Sequence, residues 1–100
     1  MLVVTGIIEI DAASVEAARA LAGPMGTASR AEPGCHAYAF YQDLEDPTRI
    51  RIYEEWETQA ALDAHFAMPH MAAFIEGMGK LTVKSMNVVK FEQGETSPVG

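Results

Sequence analysis

Glu54, Trp56, His65 and His70 fall within seventeen residues of an otherwise apolar stretch. Histidine is the side chain whose ordinary titration lies closest to neutral pH, so two of them in apolar surroundings point to proton transfer. His65 follows Ala61 by four positions and Leu62 by three, which places it on one helix face with Ala61, Leu62 and Phe66. One reading is a core-edge histidine bonded to a backbone carbonyl. The other is a base oriented by a carboxylate, and Glu54 is the expected partner, because such a contact fixes the tautomer and raises basicity. Glu54, set among apolar residues, must itself be paired or hold a proton. His70 follows Pro69 at a helix start, where the dipole disfavours imidazolium and favours a neutral ring. Its plainer reading is a surface residue, and His36 divides evenly between strand-start exposure and the same pocket.

The elements that must position these groups follow from periodicity. Leu2 to Ile10 reads as a buried strand. Asp11 to Arg30 is a helix capped by Asp11 or Ser14, with Val15, Ala18, Ala22 and Met25 on one face. Gly23-Pro24 predicts a kink or restart within it. After the Pro33-Gly34 turn, His36 to Gln42 is a strand in which His36, Tyr38 and Phe40 share a face. The polar loop 43–48 leads to a third strand, Arg49 to Trp56, with Ile50, Ile52, Glu54 and Trp56 on one side. Thr58 caps a helix ending near Phe66, and Pro69 opens another running to about Met78, with Met71, Phe74, Ile75 and Met78 as its apolar stripe. Leu81 to Phe91 is a fourth strand, so residues 1–92 form the domain and 93–100 a loose tail. The order β-α-β-β-α-β is the ferredoxin-like α+β arrangement, with both helices on one face of a four-stranded antiparallel sheet. Val4, Ile8, Ala37, Ala39, Tyr41, Met86 and Val88 are expected on the opposite face. An apolar second face needs a cover, which predicts a homodimer packed through its sheet faces.

Composition narrows the class of function. The chain has 100 residues, and a domain of that size gains from an oligomer interface. A net charge of -7, from fourteen acids and seven bases, argues against nucleic acid or an anionic membrane as partner. No apolar run approaches the ~20 residues of a membrane helix. The opening Met1-Leu2-Val3-Val4 reads as strand and not as a secretory leader, and the single Cys35 suits a reducing cytoplasm. The three histidines lack metal-ligand spacing, and neither a Cys-x-x-Cys pair nor a Gly-rich phosphate loop occurs, so no metal or cofactor is expected. Cys35 reads as a small buried hydrophobe. Phe66, Phe74 and the methionines at 68, 71 and 78 read as core, although a cavity of rings and thioethers also suits a flat aromatic ligand.

Glu32-Pro33-Gly34-Cys35-His36-Ala37-Tyr38, Tyr53-Glu54-Glu55-Trp56-Glu57 and the run Ala61-Leu62-x-Ala64-His65-Phe66-x-x-Pro69-His70-Met71-x-Ala73-Phe74 resemble the antibiotic biosynthesis monooxygenase family. Within it, the chain is most similar to the quinol monooxygenase branch. The resemblance implies a dimeric α+β barrel with a pocket between sheet and helices. It also implies oxidation of quinols or aromatic phenols by molecular oxygen, without metal or flavin. An electron-rich deprotonated aromatic can itself reduce oxygen, so the protein need only bind it, take its proton and exclude water. Carried over by motif, His65, Glu54 and His70 are the catalytic candidates. Trp56, Phe66, Met71 and Phe74 line the ring site, with His36 and Tyr38 beside it. Haem-degrading members carry tryptophan at the place of His65, an iron-binding histidine near Ile75 and a first-strand asparagine, none of which this chain has. The branch that isomerises a phosphorylated sugar fits poorly with so few basic residues. A binding or stress-response module for small aromatics, or a subunit-interaction domain without a ligand, are the alternatives from other classes.

Overall fold

The computed structural model describes all residues, Met1–Gly100. Its strands are β1 (Leu2–Ile10), β2 (Cys35–Gln42), β3 (Arg49–Trp56) and β4 (Val83–Glu92), and its helices are α1 (Val15–Arg30), α2 (Gln59–Phe66) and α3 (Pro69–Met78). The sheet runs β2-β3-β1-β4 and every neighbouring pair is antiparallel, which is the expected ferredoxin-like arrangement. Leu2, Val4, Met25, Tyr38, Ile52, Trp56 and Leu62 form the main core, and Ile8, Ile10 and Ala18 a second cluster.

The helix starts follow local chemistry. Asp11 accepts from the Ala13 amide at 3.1 Å and opens a 3₁₀ turn over Ala12–Ser14. Ser14 caps nothing: its Oγ accepts from the Thr82 amide at 3.1 Å, tying the start of α1 to the segment before β4. Thr58 Oγ1 accepts from the Ala61 amide at 3.1 Å, and Pro69 occupies the first turn of α3, as expected. The predicted restart at Gly23-Pro24 does not occur. Helix α1 runs through Pro24, which is exposed, as is Ala20 one turn earlier, so water can bond the carbonyl that proline leaves free.

Strand parity corrects part of the expected outer face. Tyr38 pairs with Glu54 and Phe40 with Ile52, on the helix side, so Ala37, Ala39 and Tyr41 face outward as expected. Val4 and Ile8 instead lie in the core under the helices, and Met86 and Val88 share that side because they pair with Ile8 and Gly6. Both parities of β1 are rich in β-branched residues, but the even one lacks the polar Thr5 and Glu9, and it wins the core. The outer face of β1 and β4 carries Val3, Ile7, Val89 and Phe91. All of β4 is exposed, since the helices lie over the other three strands. At Gly6 an added Cβ would stand 2.0 Å from the Asn87 carbonyl oxygen, so only glycine permits β4 to approach β1 there.

Candidate active site

The turn between α1 and β2 builds the site. The Glu32 amide bonds Ser29 O at 3.0 Å, just beyond the end of α1. Gly34 follows with φ 81°, and its carbonyl accepts from the Glu57 amide at 2.8 Å. A Cβ on Gly34 would meet the Ala61 Cβ at 2.7 Å, so the turn is pressed against α2 and needs glycine on two counts. Ala61 lies one helical turn before His65, and this contact carries the Glu32 side chain to the imidazole.

The result is a convergence on one oxygen. Glu32 Oε2 lies 2.6 Å from His65 Nδ1 and 2.7 Å from His70 Nε2. The two-residue connection between α2 and α3 returns the chain so that the two rings stand 5.9 Å apart. A carboxylate oxygen has room for two N–H donors, so the network assigns protons to His65 Nδ1 and His70 Nε2. His65 Nε2 and His70 Nδ1 are then acceptors. Glu32 Oε1 is buried and bonded to nothing in the chain.

His65 and His70 differ in access. His65 is 1% exposed, with the rings of Trp56 at 4.8 Å, Tyr38 at 5.4 Å and Phe66 at 5.7 Å around it. The His70 side chain is 22% exposed and lines a cleft between α1 and α3. As the histidine with access, His70 can meet a ligand, while His65 holds the carboxylate from behind.

Glu54 is buried on the same side but makes a different partnership. Its Oε1 accepts from Trp56 Nε1 at 2.8 Å, and Glu32, not Glu54, is the partner of His65. Residues two apart on a strand share a face, so Trp56 reaches Glu54 first. Burial pushes the Glu54 carboxyl up to about 7, against the lowering effect of the indole bond, and the nearby Glu32 charge adds to the rise. Burial, reinforced by the charge of Glu54, also raises the Tyr38 hydroxyl. The Cys35 thiol is raised by burial and then by Glu32 and Glu54; it packs against the core half-buried, where full burial was expected.

The remaining candidates disperse. His36 does not share the face of Tyr38 and Phe40. The β2–β3 register slips between Cys35 and Ala37, a β-bulge that leaves His36 unpaired and turned to solvent, 3.6 Å from Glu57. Phe66 is exposed at the rim, whereas Met71 and Phe74 pack against the core. Glu32 opens the motif Glu32-Pro33-Gly34-Cys35-His36 that resembles the family, and it is an acid just past a helix C-terminus, where the dipole disfavours it; neither sign gave it a role.

Glu32, His65 and His70 are also the one cluster whose donor atoms could hold a cation, all lying within 4.8 Å. Ligands at about 2.1 Å from a shared ion stand roughly 3 Å or more from one another. The 2.6 and 2.7 Å contacts are hydrogen-bond distances, so a metal would have to spread the cluster.

Comparison with known proteins identifies the family and supports the fold. The profile of the family described as antibiotic biosynthesis monooxygenase matches residues 1–77. An uncharacterized protein of Synechocystis sp. is 34% identical over 95 residues, covering 95% of this chain and 65% of its own length, so the chain spans just under two thirds of that relative. The probable quinol monooxygenase YgiN of Escherichia coli is 37% identical over 71 residues, 63% of this chain and 67% of YgiN. The solved structure of an antibiotic biosynthesis monooxygenase candidate from Deinococcus radiodurans superposes with a TM-score of 0.91 at 27% identity, covering 100% of this chain and 99% of that one.

Proposed function

Because this chain belongs to the antibiotic biosynthesis monooxygenase family, we propose that it oxidises a quinol or related aromatic phenol with molecular oxygen, using Glu32, His65 and His70 to take the hydroxyl proton. The observation that carries this reading is the convergence of two imidazoles on one buried carboxylate oxygen. The substrate hydroxyl donates to His70 Nδ1. As the proton arrives, Glu32 faces the new imidazolium and stabilises it, and His65 Nδ1–H keeps the carboxylate in place. The resulting phenolate is rich enough in electrons to pass them to oxygen. For a hydroquinone, one oxygen atom enters the ring and the other leaves as water, with hydroxyquinone as the organic product. The reading needs no metal or flavin, and the name of YgiN supports the quinol class.

The same reading includes a cytoplasmic homodimer. The outer sheet face and β4 leave Tyr41, Val89 and Phe91 about half exposed, an apolar surface that a second sheet would cover. A monomer by light scattering at low micromolar concentration would remove this part. No helix is long and apolar enough to cross a membrane.

Oxygen consumption with a panel of hydroquinones tests the activity. Protein-dependent uptake above autoxidation is expected, and His70→Ala should lower it about 10²-fold or more. Uptake no faster than autoxidation would sink the reading. The sealed position of His65 favours one other possibility, a non-catalytic binder of small aromatics. A quinone that raises Tm without any turnover of its quinol would select that alternative.

A further inference from the structure

Two separate spaces flank α3, and one side chain belongs to both. The first is an apolar cavity of about 110 Å³ between α1, α3 and the sheet, walled by residues such as Ile8, Ala18, Phe40 and Met78. The second is the cleft of about 120 Å³ that holds His70, with Leu21, Pro24 and Met25 on its α1 side. Phe74 lines both. It follows His70 by four residues, so the two side chains are neighbours on one face of α3. Its ring packs on Phe40, a wall of the cavity, with centroids 5.5 Å apart.

We propose that Phe74 is the partition between the apolar cavity and the His70 cleft, and that it sets the size of aromatic which can lie in the cavity and still touch His70. A cavity that admits benzene measures about 150 Å³, and each of these two spaces is smaller than that by itself. With the Phe74 ring swung aside they become continuous, and a ring in the apolar cavity can present a hydroxyl to His70. Helix α3 suits such a movement. None of its residues is fully buried, so the Phe74 ring can move by giving up its contacts with Phe40 and the core edge and without unsealing a buried position. Phe74 is thus a specificity-determining residue for the quinol reading, on which this inference rests.

The test uses Phe74→Ala and Phe74→Trp, with Phe74→Leu as a variant close to native packing. One-ring and two-ring quinols are compared by kcat/KM. Binding of the matching quinones is followed by quenching of Trp56, the parent's only tryptophan, which lies against His65, in the parent, Phe74→Ala and Phe74→Leu, and by titration calorimetry in Phe74→Trp. Opening the partition is expected to raise the preference for two-ring over one-ring compounds by about tenfold in Phe74→Ala, with a smaller rise in Phe74→Leu and a fall in Phe74→Trp. Equal changes for both ring sizes in Phe74→Leu and Phe74→Trp would overturn the inference even if oxygen uptake persists. A size-dependent shift in quinone affinity without oxygen uptake in any variant would keep the partition and remove the monooxygenase.

Discussion

Glu32 and Glu54 are two carboxylates buried to nearly the same degree, 8% and 7% exposed, and they do opposite things. Glu32 receives two imidazole nitrogens on one oxygen, at 2.6 and 2.7 Å. Glu54 receives a single indole N–H at 2.8 Å, and burial lifts its carboxyl to about 7. Removal from water is common to both, so burial does not distinguish them. The donors do. Two titratable rings make the socket of Glu32 able to accept and share an incoming proton, whereas one indole, which cannot titrate, leaves Glu54 to meet the loss of water by keeping its own. A buried acid marks a proton-transfer site when its neighbours can also exchange protons.

The sharpest way to break this contrast is to neutralise each acid in turn. Glu32→Gln should lower kcat for quinol oxidation about 10²- to 10³-fold, because the imidazolium loses its counter-charge. Glu54→Gln should stay within about threefold of the parent. Equal losses in oxygen uptake would show that the two acids act as one unit and would end the distinction.

Stability should invert the order. The folded Glu54 carboxyl, at about 7, lies above its ordinary 4.5. Between those values the folded chain holds a proton that the unfolded chain has released, so stability falls as pH rises through this window. The contribution is full below about pH 4.5, is lost by about pH 7 and is flat above, a span of roughly 3 kcal/mol. Urea unfolding from pH 4.5 to 8 should show this decline in the parent and a flatter profile in Glu54→Gln. Parallel profiles would mean that Glu54 is not the group that titrates.

Trp56→Phe makes a smaller change to the same pair. It removes the only donor to Glu54 while keeping an aromatic in the core. The expected cost is about 1–3 kcal/mol, larger at pH 8 than at pH 5, since a charged carboxylate depends more on its donor than a protonated one. A loss independent of pH would assign the whole effect to packing.

The fold was legible in the sequence because its signals are local. The Thr58 cap, Pro69 at the start of α3 and the apolar strand patterns each act within a few residues. The site was legible only in part, because its bonds run between distant residues. His65 was placed on its face by helix phase, but its partner arrives from 33 positions away through a turn whose packing rests on Gly34 against Ala61. Glu54 was the natural partner in sequence, yet strand alternation gives it to Trp56. His36 was misplaced by a bulge, which resets alternation without a sign in residue type. The parity of β1 was misassigned, with Val4 and Ile8 expected outside, because both of its faces are apolar enough to be core.

A third pairing of the same residue types closes the comparison at its weakest point. His36 and Glu57 stand 3.6 Å apart, with side chains 44% and 69% exposed. Water screens this pair and already satisfies both groups, so neither depends on the other as Glu32 depends on its imidazoles. His36→Ala should therefore change stability by no more than about 0.5 kcal/mol and leave quinol oxidation unchanged. Thermal unfolding and oxygen uptake on the one variant check both parts. A clear loss of activity would place His36 in the proton path despite its exposure, and would mean that a histidine beside a carboxylate matters here even in water.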